Sequence, residues 1–367
     1  MNSKRKKVYL LFFSIISFCA YSQESAEDNS TIEPILKYVG DAGRNFTGGI
    51  KTGNAYNGLF DAGVIIKSDK WYNGGSLTIE MQNTHGNELS GNYVGDIQYI
   101  SNIENNDYTY LYQLYYKQDF SMLYFIVGIH DLNTEFVISE FGAALTNSSF
   151  GIHSTFPLNF GVSIFPKTSL SFIGAIKYNE NFIYRIGLYD GDVSNLDDEK
   201  YNLKWKINKD EGILSIHEFE LKPITNNTIK LGAYYHTGKF FKTNDFTTEV
   251  NGNWGIYGIV DQVVYEKDEN KRGGVFFQFG ITPSSKNINT KYFGAGLNFN
   301  GLIPSRSKDG FAIGFTYAGL YDDTWECDIE ANYLFSLGKH FNIQPCIHYV
   351  IHPGANAGYK NSFAPFI

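Results

Sequence analysis

Residues 74–86 of the chain read GGSLTIEMQNTHG, and the side chains in the middle of this stretch alternate between apolar and polar. Leu77, Ile79 and Met81 are apolar, whereas Thr78 and Glu80 between them are polar. Because successive side chains of a β-strand point to opposite faces, one face of this strand is apolar and the other is polar. A soluble sheet turns its apolar face toward a protein core, and a membrane barrel turns it toward lipid. The alternation by itself leaves both arrangements open.

The composition favours a long β-structure with aromatic side chains at an interface. The 367 residues include 17% aromatic and 19% charged side chains, with 27 Tyr, 30 Phe and only 9 Pro. The charged fraction lies below the roughly 25% of an average soluble domain. Tyr and Phe are strand formers that also suit a boundary with one dry and one wet side. Since β-barrels routinely run long as one domain, the length does not require two.

The first 22 residues have the layout of a secretory signal peptide. Residues 4–7 (KRKK) form a positive segment, residues 8–20 form an apolar segment, and small residues precede a mature start near Gln23. The apolar segment is shorter than the ~20 residues that a spanning helix needs. Lipidation of Cys19 is disfavoured because bulky Phe18 precedes it. Removal of residues 1–22 takes away four basic and no acidic residues, so the formal net charge changes from −8 to −12.

The mature chain predicts an all-β, transmembrane antiparallel β-barrel of about 16 strands. After residue 22 there is no apolar run long enough for a spanning helix, so any membrane span must consist of strands. Residues 23–40 are polar and acidic and are predicted to be an N-terminal lead-in to a barrel over 41–367. Segments of about ten residues alternate there and are separated by Gly, Asn and Asp, whereas a soluble sandwich more often has strands of five or six residues. The negative charge disfavours nucleic acid as a partner.

Two segments show the predicted faces clearly, and a third is irregular. In TYLYQLYYKQ (109–118), Tyr110 and Tyr112 share the apolar, lipid-facing side. In TWECDIEANYLF (324–335), Trp325 and Ile329 oppose a row of carboxylates. In GIYGIVDQVVYEK (255–267), two consecutive polar residues fall on opposite faces, which predicts a β-bulge.

Two long polar connections, 85–106 and 131–160, are predicted to be extracellular loops, some of which fold into the lumen to narrow it. The side chains at inward strand positions supply hydrogen-bond donors and acceptors for the hydroxyl groups of a sugar, and aromatic faces for a pyranose ring. The simpler interpretation is that these side chains only solvate the lumen wall. The candidates for lining the pore and contacting sugar are Glu80, Gln82, Gln113, Tyr115, Lys117, Arg185, Lys230, Glu326, Asp328 and Glu330.

Other chemistries find little support in the sequence. The carboxylates of Glu326, Asp328 and Glu330 have the spacing of an inverting glycosidase pair, but one strand offers no opposing wall to hold a sugar. No nucleotide, cofactor or metal motif occurs, so no catalytic residue, cofactor or metal is predicted. The two cysteines after the signal segment, Cys327 and Cys346, lie on opposite faces and are not expected to form a disulfide.

Several segments, in order, resemble the carbohydrate-selective porin (OprB) family of the Gram-negative outer membrane. They include GIHDLNTEF (128–136), GLYDGD (187–192) and GLIPSRSKDGFAIGFTY (301–317), followed by WECDIEANYLF and IQPCIHYVIHPG. The resemblance implies a sixteen-stranded barrel that lets sugars diffuse passively. Arg306 and Asp309 match the family's Pro-x-Arg-x-x-Asp turn and are expected to pair there. The family closes with an amphipathic strand that ends in an aromatic residue, whereas this chain stops at KNSFAPFI, so a truncated or unusually short closing strand is expected.

The predicted function is therefore passive, sugar-preferring diffusion of small carbohydrates across an outer membrane, without enzymatic activity. Expected partners are these sugars, outer-membrane lipid and the barrel-assembly machinery. The sequence leaves open whether the barrels form homo-oligomers, because surfaces that face lipid and surfaces that face another subunit are both apolar. The alternatives are a general-diffusion or structural barrel without sugar preference, and an exported soluble β protein that binds carbohydrate.

Overall fold

The computed structural model describes residues 31–68, 73–191, 193, 199–207, 211–268 and 270–367. The predicted signal peptide and the first part of the lead-in lie outside these residues. The described strands form one antiparallel sheet in which neighbours along the chain pair, except that the fifteenth and sixteenth strands both pair with the fourteenth. They are β1 Ile32–Asn45, β2 Gly53–Lys67, β3 Gly75–Asn87, β4 Tyr108–Asp119, β5 Leu123–His130, β6 Ser169–Asn179, β7 Phe182–Asp190, β8 Ile213–Leu221, β9 Asn227–Lys242, β10 Asp245–Asp268, β11 Lys271–Ile281, β12 Asn289–Asn300, β13 Gly310–Leu320, β14 Trp325–Ser336, β15 Asn342–Ile343, β16 Cys346–Ile351 and β17 Ser362–Phe363.

The sheet curls into a nearly closed barrel with sixteen strand positions around its circumference, as predicted. β15 and β16 both pair with β14 and together occupy one strand position of the barrel. This strand is interrupted at Pro345 because proline has no N–H to donate. β17 pairs with β16, and the residues around it also bond to β1. The N–H of Phe46 donates to the carbonyl of Phe363 at 2.8 Å, and that of Arg44 donates to Pro365 at 3.1 Å. The last residues of the chain thus connect the final strand of the barrel to the first.

The barrel begins earlier than residue 41. β1 starts at Ile32, so residues 32–40, which the sequence analysis assigned to the lead-in, belong to the wall. These residues read IEPILKYVG and pair with β2 over their whole length, and Glu33 forms an ion pair with Lys67 of that strand. Ile32 and Leu36 are each 58% exposed, as outward positions of an outer wall are.

The outer face of the barrel is apolar. Met81, Phe172 and Ile347 are each about half exposed, whereas the intervening Thr78 and His348 are buried. A continuous apolar band of this kind on the outside of a closed barrel is the surface that lipid covers. Among the described helices, which are all short, none has the length and apolar character to cross a membrane.

The connections at the two ends of the barrel differ in length. Turns such as 120–122 and 180–181 close one end, whereas the other end carries the connections 88–107 (loop A) and 131–168 (loop B) and the described residues 191, 193, 199–207 and 211–212 between β7 and β8 (loop C). Loops A and B are the two predicted long connections, and loop C is a third that sequence analysis did not single out. Because outer-membrane barrels have short periplasmic turns and longer extracellular loops, loops A, B and C lie on the extracellular side.

Two of the register shifts between the strands concern segments whose faces were predicted from the sequence. The pairing of β10 with β11 shifts between Val263 and Tyr265, next to the irregularity predicted from the sequence. A second bulge was not predicted: in β3–β4 pairing Glu80 faces Gln113 and Met81 faces Leu111, which leaves Tyr112 without a partner. Beyond this bulge the faces of β4 exchange, so the prediction that Tyr110 and Tyr112 face lipid is wrong. Both rings are buried inside the barrel, with 0% and 5% exposure.

The two cysteines are free, as predicted. Cys327 is half-buried on β14, whereas Cys346 is buried on β16. In the register of these strands Cys327 faces Ile351, and Cys346 faces Asn332. The thiols therefore lie at different levels of the barrel wall.

Candidate functional site: the constricted lumen

Loop B folds into the barrel and binds to carboxylates on the inner wall. Asp261 of β10 accepts hydrogen bonds from the Ser139 hydroxyl at 2.7 Å and from the N–H groups of Glu140 and Phe141 at 3.1 and 3.2 Å. Glu218 of β8 accepts from the N–H of Val137 at 3.0 Å. These backbone N–H groups have no partners within a helix or sheet, so the carboxylates supply the acceptors that a buried loop otherwise lacks.

The carboxylates of β14 anchor both inward loops. Glu330 accepts from the N–H of Thr146 at 2.9 Å and of Asn147 at 3.0 Å, which hold loop B. Glu326 accepts from the N–H of Ile97 at 3.0 Å and of Gln98 at 3.1 Å, which hold loop A. Both glutamates are completely buried. Charge-assisted bonds to backbone N–H groups are among the strong hydrogen bonds of proteins, so this row of acids fixes where both loops lie.

Apolar packing attaches loop B to the same side of the wall. Phe141 and Phe150 of loop B are buried against Phe276 of β11, with the Phe150 and Phe276 rings 5.6 Å apart. Phe141 lies directly over Gly274, where an added Cβ would come within 2.2 Å of its ring. A glycine at this position is needed so that the loop can approach the strand.

The opposite part of the wall carries a network of alternating charges. Arg185 of β7 lies 2.8 Å from a carboxylate oxygen of Glu220 and 3.9 Å from one of Glu135 in loop B. Lys117 of β4 lies 3.6 Å from Glu135 and 4.5 Å above the ring of Tyr124. The Lys117 side chain is 35% exposed and that of Arg185 is 14% exposed, so water in the lumen reaches this network.

A third group of polar side chains lies on β3 and β4. Gln113 donates to Glu80 at 3.0 Å and accepts from the N–H of Asp131 at 3.3 Å. The hydroxyl of Tyr110 donates to Gln82 at 2.9 Å. The hydroxyl of Tyr112 donates to Asp131, where loop B begins. This buried polar group therefore orients the start of loop B against the wall.

Burial shifts the pKa values of loop B side chains near this wall. Burial raises the pKa of Asp131 to about 6, although the hydrogen bonds from Tyr112 and the N–H of Asn133 oppose the shift. Burial also lowers the pKa of His153, which lies stacked on Tyr292, to about 3. His153 is therefore neutral in the folded protein at neutral pH.

Two cavities remain between the loops. One of about 320 Å³ lies between Asn102 of loop A and Asn133 and Phe165 of loop B. The other, of about 530 Å³, extends from Asn102 toward the β1–β14 side of the wall and is lined there by Asn332 and Gln344. The lining of these cavities combines side-chain amides, which both donate and accept hydrogen bonds, with charged groups: Lys37, Asp41 and Glu140 in the larger cavity and Asp131 in the smaller one.

The structure distributes the ten predicted pore-lining residues over three roles. Glu326, Asp328 and Glu330 bond to the loops, and Lys230 donates to the carbonyl of Ile138 in loop B at 2.7 Å. Tyr115 packs edge-on against His130, with ring centroids 4.7 Å apart. The remaining five belong to the charge network and the β3–β4 group already described: Glu80, Gln82, Gln113, Lys117 and Arg185.

Sequence reasoning missed the anchors Asp261 and Glu218 and the network member Glu135. Asp261 was noted only as an irregularity, although an acid at an inward strand position was the signal that could have identified it. Arg306 and Asp309 do pair in the turn before β13, with an Nη2–Oδ1 distance of 3.0 Å. Asp309 also accepts from the Tyr333 hydroxyl at 3.0 Å, so the pair ties this turn to β14.

The barrel is nearly closed, has an apolar outer belt, and carries long loops at one end, two of which narrow the lumen. These features together define an outer-membrane channel of the porin class. The model of the carbohydrate-selective porin OprB family matches residues 67–364. The chain belongs to this family. It is therefore a porin of a Gram-negative outer membrane and a channel rather than an enzyme.

Solved structures agree on the fold. The high-pH structure of Pseudomonas putida OprB is 17% identical, with a TM-score of 0.82 over 92% of this chain and 93% of that one. The low-pH structure of the same protein is 16% identical, with a TM-score of 0.59 over 92% and 91%. The outer-membrane channel DcaP of Acinetobacter baumannii is 8% identical, with a TM-score of 0.53 over 91% and 95%. No curated protein sequence matches the chain.

Proposed function

We propose that this porin passes small neutral carbohydrates by diffusion through the part of the lumen that loops A and B leave open. The observation that carries the proposal is the pair of cavities between these loops, which are lined by Asn and Gln amides together with a few charged side chains. A sugar loses many hydrogen bonds to water when it enters a constriction, and the amide and charged side chains of this lining supply donors and acceptors that replace them. Cavities of about 320 and 530 Å³ fall in the size range of small-molecule sites.

The charge network contributes to the same preference. Lys117 and Arg185 are balanced by Glu135 and Glu220 within 4 Å, so the wall is polar but has little net charge locally. The partly exposed ring of Tyr115 supplies flat apolar surface for a pyranose ring. We infer that sugar contact falls to Lys117, Arg185, Gln113 and Tyr115.

The β14 carboxylates have a different role in this proposal. Glu326 and Glu330 are sealed under loops A and B and already accept several N–H donors, which leaves no room for a sugar between an acid and a base. We therefore infer that the protein does not hydrolyse glycosides. Incubation of the purified protein with chromogenic glycosides tests this inference, and steady release of the chromophore would contradict it.

Liposome swelling tests the sugar preference directly. Vesicles loaded with the protein are diluted into isotonic monosaccharides, disaccharides or amino acids of matched size. We expect faster swelling in the sugars, and expect Arg185→Gln to narrow the difference. Arg44→Gln, an exposed arginine at the extracellular end of β1, is the matched control and is expected to behave as the wild type. Equal rates for sugars and amino acids would favour the general-diffusion alternative.

Two partners complete the proposal. We infer that the barrel-assembly machinery inserts the chain, as the apolar belt requires a lipid destination, and that the barrels form homo-oligomers through part of that belt. Sedimentation in a density-matched detergent measures the number of chains in each particle. A single barrel per micelle at all protein concentrations would contradict the oligomer.

A further inference from the structure

Two cavities lie at the periplasmic end of the lumen. One is the cavity of about 530 Å³ described above, whose lining residues Asn300 and Asn342 flank the periplasmic turns before β13 and β15. The other, of about 570 Å³, is lined by Asn181 and by residues 222–226, which form periplasmic turns on another part of the wall. These two spaces are called the outlet cavities below.

The side chain of Glu140 in loop B lines both outlet cavities. It is 47% exposed and forms an ion pair with Arg272, the second residue of β11. The Arg272 side chain is 29% exposed, and its guanidinium group lies 5.6 Å from the centre of the Phe141 ring. The pair therefore connects loop B to the wall at a place that borders both cavities. Loop B thus extends from the extracellular end of the barrel to its periplasmic outlet.

The main chain and the side chain of Glu140 are held by contacts of different strength. The N–H groups of Glu140 and Phe141 donate to Asp261, which is 3% exposed. Charge-assisted hydrogen bonds at a buried position hold the main chain firmly. By contrast, exposed ion pairs contribute little and weaken further when salt screens them. Arg272 also lies 3.3 Å from Glu266, an alternative partner for its guanidinium group, so the Glu140 side chain can leave Arg272 while loop B stays in place.

We propose that the Glu140–Arg272 pair sets the size limit for sugars at the periplasmic outlet, and that salt raises this limit. The inference rests on the proposed route between loops A and B, which leads into the 530 Å³ cavity. While the pair is formed, the Glu140 side chain separates the outlet cavities and a sugar leaves through one of them. When the pair separates, the side chain rotates away and the cavities of about 530 and 570 Å³ join. Monosaccharides pass in both states, whereas longer oligosaccharides need the joined outlet.

Liposome swelling at two salt concentrations tests the proposal on the full-length protein. Vesicles that contain the protein are diluted into isotonic glucose or raffinose, a trisaccharide. KCl is present on both sides at about 0.01 or 1 M, where the Debye length is about 30 or 3 Å. The measured quantity is the ratio of the raffinose rate to the glucose rate. In the wild type we expect this ratio to rise roughly 2- to 5-fold from the lower to the higher salt concentration, the population change that an exposed ion pair accounts for.

Substitutions in the pair should remove this salt dependence. In Glu140→Gln and in Arg272→Gln we expect a high ratio already at low salt, with little further change at high salt. The double variant should match either single variant, because the two side chains act as a pair. Glu180→Gln makes the same change as Glu140→Gln at an exposed position of a periplasmic turn and should behave as the wild type.

Hydrogen exchange separates control of the size limit from attachment of loop B. The peptide that covers residues 137–142 should exchange at the same rate in Glu140→Gln and in the wild type, because Asp261 still holds the main chain. Faster exchange of this peptide would overturn the proposal, because the pair would then only attach the loop.

The swelling experiments overturn the proposal in two further cases. These are a wild-type ratio that does not change with salt, and a wild-type ratio in both folded single variants at low salt. If neither variant folds, the salt series on the wild type decides. Failure of the proposed function would look different, because sugars and amino acids of matched size would then enter at equal rates at both salt concentrations.

Discussion

Glu330→Gln is the substitution that most directly probes how loop B is held. Glu330 accepts through Oε1 from the Asn332 amide at 2.8 Å, the Thr146 N–H at 2.9 Å and the Thr146 hydroxyl at 3.1 Å. Through Oε2 it accepts from the N–H groups of Thr146 and Asn147, both at 3.0 Å. Glutamine has the same shape but replaces one oxygen by an NH₂ group. If its oxygen takes the Oε1 position, a donor is left facing the Asn147 N–H.

The magnitude follows from the bonds that are lost. A hydrogen bond to a charged group contributes about 1.5–3 kcal/mol, and an opposed pair of buried donors adds a desolvation cost. We therefore expect the attachment of loop B to weaken by about 2–3 kcal/mol. Since about 1.4 kcal/mol corresponds to a factor of ten, local opening of the loop should become roughly 30- to 150-fold more frequent.

Hydrogen exchange measured by mass spectrometry checks this number. The peptide that covers residues 142–150 should exchange faster by that factor, because exchange of a protected amide reports how often its segment opens. Glu249→Gln makes the same change at an exposed position of the β9–β10 hairpin and should leave this peptide unchanged. Unaltered exchange of residues 142–150 in Glu330→Gln, with a folded barrel, would show that Glu330 does not hold the loop.

Three further predictions concern the wall, the pH dependence and the periplasmic turn. In a cysteine-free background, Ile347→Cys should react with a lipid-phase thiol reagent and Tyr112→Cys should not, because the bulge turns position 112 inward; reaction at both would refute that bulge. The folded-state pKa of Asp131, about 6, lies above its ordinary 3.8, so the folded state holds the proton more tightly and stability falls as pH rises from about 4 to 6. Thermal unfolding across this range should show Asp131→Asn losing up to about 3 kcal/mol of that pH dependence, and an identical slope in both proteins would contradict the assignment. Asp309→Ala should lower the melting temperature more than Arg306→Ala does, because Asp309 also accepts from the Tyr333 hydroxyl and the Ser336 N–H; the reverse order in the same melting experiment would show that the cation matters more.

Much of the barrel could be predicted from local pattern. The alternation in residues 74–86 and 324–335 identified which side chains face outward, and the number of alternating segments indicated about sixteen strands. The errors came where pairing between strands overrides the pattern. Tyr112 was assigned to the wrong face because a bulge depends on the register with β3. Residues 32–40 were grouped with the acidic segment that precedes them, although their pairing with β2 makes them part of the wall.

The candidate site was less predictable. Inward polar positions could be named from the sequence, but their roles could not. Glu326 and Glu330 looked like lumen-lining acids, and only the folded loops reveal that they accept backbone N–H groups of loops A and B. No local signal indicates which acids meet a loop and which meet water.

By itself, the sequence determined the class of structure and the orientation of most side chains, because a strand's two-residue period is a property of adjacent residues. The tertiary structure decided where the lumen is narrowed and what narrows it, because those contacts join distant parts of the chain. Glu330 and Thr146 are 184 positions apart, and Glu326 and Ile97 are 229 apart. Contacts over such separations form only when the barrel closes around its loops, so they leave no periodic trace in the sequence.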